Sequence, residues 1–228
     1  ARIAYLHTGL PIGQSGNPPI VVVSGLDGTQ PDATGWLTRR ALRAADAVLA
    51  GTPAEAERYQ KDGVEPERLH VVAPFAPAVT NGPDPAAFRA NLGIPPDARL
   101  VIAAGRFDET AGLKTAVWAF DVVKYVAPNL FLILVGDGPD RDKLERFGRS
   151  VGFDDYRIHF LPPSRDLAAV MAQAEIVWVT HTRGGVTETL AAFASGRPVI
   201  AVENTDLAGL IESGQTGRYV PPTDRVAL

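Results

Sequence analysis

The chain has no cysteine and one methionine among its 228 residues. No disulfide framework and no thiolate zinc site can be built, which fits a reducing compartment such as the cytoplasm. Long apolar runs are also missing: stretches such as "LFLILVG" are too short to cross a bilayer, and the opening "ARIAYLHTGL" lacks the extended apolar segment of a signal peptide. There is no excess of positive charge either. A formal net charge of −4 gives the molecule no overall pull toward nucleic acid, so a small-molecule ligand is expected. No serine, histidine and acid trio stands out, and "PIVVVSGLDG" lacks the nucleophile-elbow spacing around Ser24, which argues against a hydrolase.

What is present is an alternation. Short β-branched runs ("PIVVVSG", "AVLAG", "LHVVAP", "RLVIAAG", "LFLILVG", "RIHFL", "EIVWVT", "RPVIAV") are separated by stretches with helical spacing, among them "TPAEAERYQKDG", "LKTAVWAFDVVKYVAP", "DRDKLERFGRSVG", "RDLAAVMAQA" and "VTETLAAFASG". Most of the strand candidates are continuously apolar, as strands covered on both faces are, and the alternation predicts parallel sheets of Rossmann type. The loop-rich "APFAPAVTNGPDPAAF", Ala73 to Phe88, marks a domain boundary, with three strands expected before it and five after. Three strands are too few for a complete doubly wound sheet. With no initiator methionine and a helix-like start, the sequence reads as part of a longer chain.

Ligands of open α/β sheets bind beyond the carboxyl ends of the strands, so the turns there are the candidate sites. In "AAGRFDETAGLK" a strand ends at Gly105 and Arg106, whose guanidinium is suited to a diphosphate or to a surface ion pair. In "LVGDGPDRDKLERF" Gly136 and Gly138 permit either a close approach to a ligand or a plain connecting turn, with Pro139 at a helix start. Asp140 and Asp142 form an Asp-x-Asp pair, but acids there complement the helix dipole and no third metal ligand is near. "THTRGGVTETLAAFASGRPVIA" places Gly184, Gly185 and Val186 at a helix start whose N–H groups can receive an anion, with His181 just before it. His70 and His159 lie in strand patterns and read as structural. The basic face of "WLTRRALRAADA" reads as solvated first and as a peripheral contact with an anionic membrane second.

Taken in order, these pieces resemble the group 1 (retaining, GT-B fold) glycosyltransferases over nearly the whole chain. The resemblance is carried by "RALRAADAVLAGTPAEAERYQKDGVEPERLHVVAP", "LVIAAGRF", "AVWAFDVVKYVAPNLFLILVGDGPDRDKLERF", "IHFLPPSRDLAAVMAQAEIVWV" and "GGVTETLAAFASGRPVIAVENTDLAGLIESGQTGRYVPPTD". It implies an α/β protein of two Rossmann-like domains with parallel sheets: residues 1–78 as the end of an incomplete acceptor-side domain and 79–228 as the nucleotide-sugar domain. It further implies a role in glycan biosynthesis. A sugar would pass from a nucleotide-sugar to a glycan, lipid or small-molecule acceptor with retention, without a metal or other cofactor, in the cytoplasm or at the inner face of its membrane. Arg106 and Lys114 would be the catalytic cations. Gly105, Gly136, Gly138, His181, Arg183, Gly184, Gly185, Val186 and Glu188 would contact the donor.

The sequence departs from the family pattern at four polar positions. The family's lysine falls on Ala111, leaving Lys114 as a displaced substitute, and its paired glutamates fall on Arg183 and Ala191. Glu188, one turn earlier on a similar face, is the nearest carboxylate to Ala191. A histidine of the first domain falls on Ser24, with Gly25 and Asp27 retained. These changes fit a retuned enzyme or a relic. The alternatives are a non-catalytic nucleotide- or glycan-binding module of the same fold and a GT-B nucleotide-sugar epimerase.

Overall fold

The computed structural model describes residues 21–23, 42–72, 79, 82–152 and 157–222. Ser24, Gly25, Asp27 and the first half of "WLTRRALRAADA" lie outside them. The chain divides into two compact units, Ala1–Pro74 and Phe75–Leu228.

In the first unit, β1 (Val21–Val23), β2 (Ala47–Ala50) and β3 (Leu69–Val71) form a parallel sheet in that order. The helix Pro53–Lys61 follows β2. Proline stands in its first turn and the Thr52 side chain caps it by accepting the Glu55 N–H at 3.2 Å. Val48, Ala50, Ala56, Tyr59 and Val64 make the core.

The second unit is built on six parallel strands: β4 (Arg99–Ala104), β5 (Leu130–Val135), β6 (Ile158–Leu161), β7 (Ile176–Val179), β8 (Val199–Val202) and β9 (Gly217–Val220). Their order is β6-β5-β4-β7-β8-β9. The unbroken apolar runs are explained by burial on both faces. Leu100, Ile102 and Ala104 of β4 join one core with Phe131, Ile133 and Val135 of β5, whereas Val101 and Ala103 join the opposite core with Leu130, Leu132 and Leu134. Helices Leu167–Met171 and Val186–Ala194 cover the first face, and Leu113–Val123 and Arg141–Gly152 cover the second. Each of these leucine, isoleucine, valine and phenylalanine side chains, fully buried, contributes about 1.5–3 kcal/mol.

Two elements correct the sequence reading. A helix at Pro85–Asn91 begins inside the stretch read as loop: Asp84 accepts the Ala87 N–H at 2.8 Å, and Pro85 is a first-turn proline rather than a breaker. The sixth strand, β9, was not expected because "GRYV" is short and opens on glycine. A side chain at Gly217 would collide with the Val199 carbonyl of β8, so the glycine is what admits the strand.

From β4 the chain builds outward through β5 and β6, then returns to place β7 on the other side of β4. The carboxyl ends of β4 and β7 therefore flank the topological switch point, where sheets of this kind hold their ligands.

Candidate functional site

The turn after β4 runs from Gly105 to Gly112. The Arg106 side chain is 57% exposed and its Nε lies 3.2 Å from Oδ2 of Asp108. The other Asp108 oxygen accepts the Thr110 N–H at 2.9 Å, the Thr110 hydroxyl at 2.6 Å and the Ala111 N–H at 3.3 Å. One carboxylate thus closes the turn and aims the arginine, holding it by Nε.

The turn after β5 packs directly on this one. Phe107 N–H donates to the Asp137 carbonyl at 2.9 Å, and Asp140 N–H to the Phe107 carbonyl at 2.9 Å. A Cβ at Gly136 would collide with the Gly105 carbonyl oxygen, and one at Gly138 would sit 2.7 Å from the Phe107 nitrogen. The space these two glycines leave open is filled by neighbouring backbone. They meet the β4 turn rather than a free surface. Asp140 pairs with Lys143 at 2.7 Å, and among the described residues no three His, Asp or Glu side chains gather into a metal-binding group.

Across the switch point, the turn after β7 is tied to the β4 turn. The Thr180 hydroxyl donates to the Ala111 carbonyl at 2.9 Å, and Thr182 N–H to the Thr110 carbonyl at 2.9 Å. Gly184 and Gly185 then take φ of 73° and 82°, a left-handed pair that leads into the Val186–Ala194 helix without a side-chain cap. The first N–H groups of a helix have no intrahelical partner.

His181 is wedged between the two turns. Its Nε2 would lie 2.8 Å from a Cβ at Gly105, and its Cγ 3.1 Å from one at Gly185. The residue is 5% exposed, and among the described residues its Nδ1 has no hydrogen-bond partner. Burial lowers its pKa below the ordinary value; the Glu188 and Asp108 carboxylates oppose the shift. Glu188 Oε2 is 3.8 Å from Nε2, a contact that becomes an ion pair only when the ring is protonated.

The loop after β8 closes the group. Asn204 Nδ2 donates to the His181 carbonyl at 2.8 Å and the Gly184 carbonyl at 3.4 Å, and Asp206 Oδ2 accepts the Gly184 N–H at 2.8 Å. The Asn204 side-chain oxygen accepts the N–H groups of Asp206 and Leu207.

Of the residues singled out in the sequence, Gly105, Arg106, His181, Arg183, Gly184, Gly185, Val186 and Glu188 lie on the two turns that flank the switch point or on the helix start between them. Gly136 and Gly138 support the β4 turn from the far side. Lys114 is engaged elsewhere: its Nζ lies 5.3 Å from the centroid of the Phe147 ring. Ala111 is 0% and Ala191 5% exposed, so both departures are packed apolar positions. Sequence reading missed Asp108, Asn204 and Asp206. The signal was there in "DET" and "NTD", where a short acid or amide two residues before another polar group is an Asx-turn former.

A six-stranded parallel sheet of this order, with glycine turns at the switch point, defines a Rossmann-like α/β domain, and solved structures similar to the chain are of GT-B type. The crystal structure of Anabaena HepE in complex with UDP and glucose superposes on it with a TM-score of 0.77 over 91% of this chain and 59% of that one, at 23% identity. Residues 98–228 match the family described as glycosyl transferases group 1, and the chain belongs to that family. It is 27% identical over 180 residues to the lipopolysaccharide core biosynthesis glycosyltransferase LpsE of Rhizobium meliloti, covering 78% of this chain and 50% of that protein. It is 30% identical over 206 residues to the D-inositol 3-phosphate glycosyltransferase of Rhodococcus erythropolis, covering 85% of this chain and 46% of that protein. The chain spans about half the length of these curated relatives.

Proposed function

We propose that this chain supplies the donor side of a glycosyltransferase that moves a sugar from a nucleotide-sugar to a hydroxyl acceptor with retention of configuration. The observation that carries the reading is the placement of Arg106 and the Gly184–Gly185 helix start on adjacent strands at the switch point. As the anomeric C–O bond breaks, the diphosphate leaves with the bonding electrons. The acceptor oxygen bonds to the anomeric carbon on the face the diphosphate leaves and passes its proton to the departing diphosphate oxygen. Arg106 and the N–H groups of the helix start offset the charge that grows on the departing diphosphate, which is electrostatic stabilisation of the transition state and asks no metal of the site. Membership in a family whose relatives include lipopolysaccharide and inositol phosphate glycosyltransferases supports the class. UDP is the first nucleotide to test, because HepE was crystallised with it. The cytoplasm is the proposed location, consistent with the absence of cysteine.

The test is a transfer assay on the full-length protein with UDP- and GDP-sugars and a panel of hydroxyl acceptors, the product's anomeric configuration read by NMR. Product with the donor's configuration is expected, and the Arg106→Ala variant should lose roughly 100- to 1000-fold in rate. Inverted product contradicts the mechanism. Nucleotide binding without turnover favours the second reading, a non-catalytic binding module, for which the apolar, buried Ala111 and Ala191 speak.

A further inference from the structure

An anion site at a glycine turn uses the turn's own N–H groups as donors. Here the Gly184 N–H already has an anionic partner, the Asp206 carboxylate at 2.8 Å. That acid is held firmly. Its own N–H is bound to the Asn204 side-chain oxygen at 2.9 Å, and the Asn204 amide nitrogen is bound to the His181 carbonyl at 2.8 Å. The β8 loop is therefore fastened to the β7 turn, and the fastening delivers a carboxylate to the amide that a phosphate oxygen would take.

Among the described residues, the carboxylates of Asp108, Glu188 and Asp206 stand around the two turns, and Arg106 is itself paired with Asp108. Burial lowers the His181 pKa, which disfavours a positive charge there. A diphosphate at Gly184 has either to displace the Asp206 carboxylate or to bind beside a like charge.

We infer that Asp206 is a built-in competitor for the anion: it occupies the Gly184 amide and lowers the affinity of the turn for a nucleoside diphosphate. This rests on the nucleotide reading above and adds to it a residue whose removal improves binding. A residue that merely supported the turn would act in the opposite direction.

The experiment is a calorimetric titration of the full-length protein and its Asp206→Asn variant with UDP and GDP, with Arg106→Ala run alongside. Asparagine keeps an oxygen for the Gly184 N–H and removes the charge. Asp206→Asn should bind roughly tenfold tighter, with the gain shrinking as salt is raised. Binding by the variant alone, with none by the parent protein, also supports the inference. Equal or weaker binding by Asp206→Asn overturns it, and the nucleotide reading survives that result if Arg106→Ala still weakens binding about tenfold or more. No binding by either the parent or Asp206→Asn overturns both. Should Asp206→Asn fail to fold, Asp206→Ser, which also offers an oxygen to the amide, carries the same comparison.

Discussion

Burial decides the charge of His181, and the consequence is a dependence of stability on pH. The ring sits between two glycine turns, and desolvation lowers its pKa despite two nearby carboxylates. In the unfolded chain the imidazole takes up a proton near the ordinary value of 6.5, whereas in the folded chain it does so only at lower pH. Between those two values the unfolded state binds more protons, so stability rises with pH across the window and is lost as pH falls through it. His159, half-buried and stacked on Phe131, is shifted down by burial as well and acts with the same sign. Urea unfolding followed from neutral pH downward should show stability falling below the ordinary histidine pKa. His181→Gln should remove part of that slope and leave the part due to His159. A slope identical in the two proteins would contradict the assignment.

At the level of elements, three strand-end turns lean on one another, and their glycines do different jobs. Gly184 and Gly185 supply the left-handed turn into a helix, whereas Gly136 gives up its side chain so that the β5 turn can lie against the β4 turn. Gly136→Ala sets a Cβ against a backbone carbonyl at φ of 151° and should cost about 2–4 kcal/mol in chemical denaturation. Gly93→Ala, with positive φ but open space around it, should cost about 1 kcal/mol. Similar losses for the two would show that turn-against-turn packing is not what Gly136 serves. The glycines were visible in the sequence, but their division of labour was not. Which turn lies against which follows from strand order, and the pairing of β4 with both β5 and β7 is long-range information that local spacing does not hold. The Pro85–Asn91 helix was missed for a local reason, because proline at a helix start and proline in a loop look alike until the Asp84 cap is recognised.

For the molecule as a whole, the alternation of apolar runs and amphipathic stretches made the parallel α/β architecture legible, since strands buried on both faces leave no other pattern. The site was legible only in part. Arg106, His181 and the Gly184–Gly185 turn could be singled out because they follow strands directly. The acids that aim or oppose them, Asp108 and Asp206, became apparent only when the loops after β4, β7 and β8 were brought side by side. Lys114 shows the reverse case: a cation at suitable spacing that packs on Phe147.

The central claim, that a diphosphate binds at the β4–β7 switch point through Arg106, is tested most directly by calorimetric titration of the full-length protein with UDP and GDP, compared with Arg106→Ala and Lys114→Ala. Binding in the micromolar range is expected. It should weaken about tenfold or more in Arg106→Ala and stay unchanged in Lys114→Ala. Equal binding by the parent protein and Arg106→Ala, or no heat and no thermal shift with either nucleotide, would contradict the account.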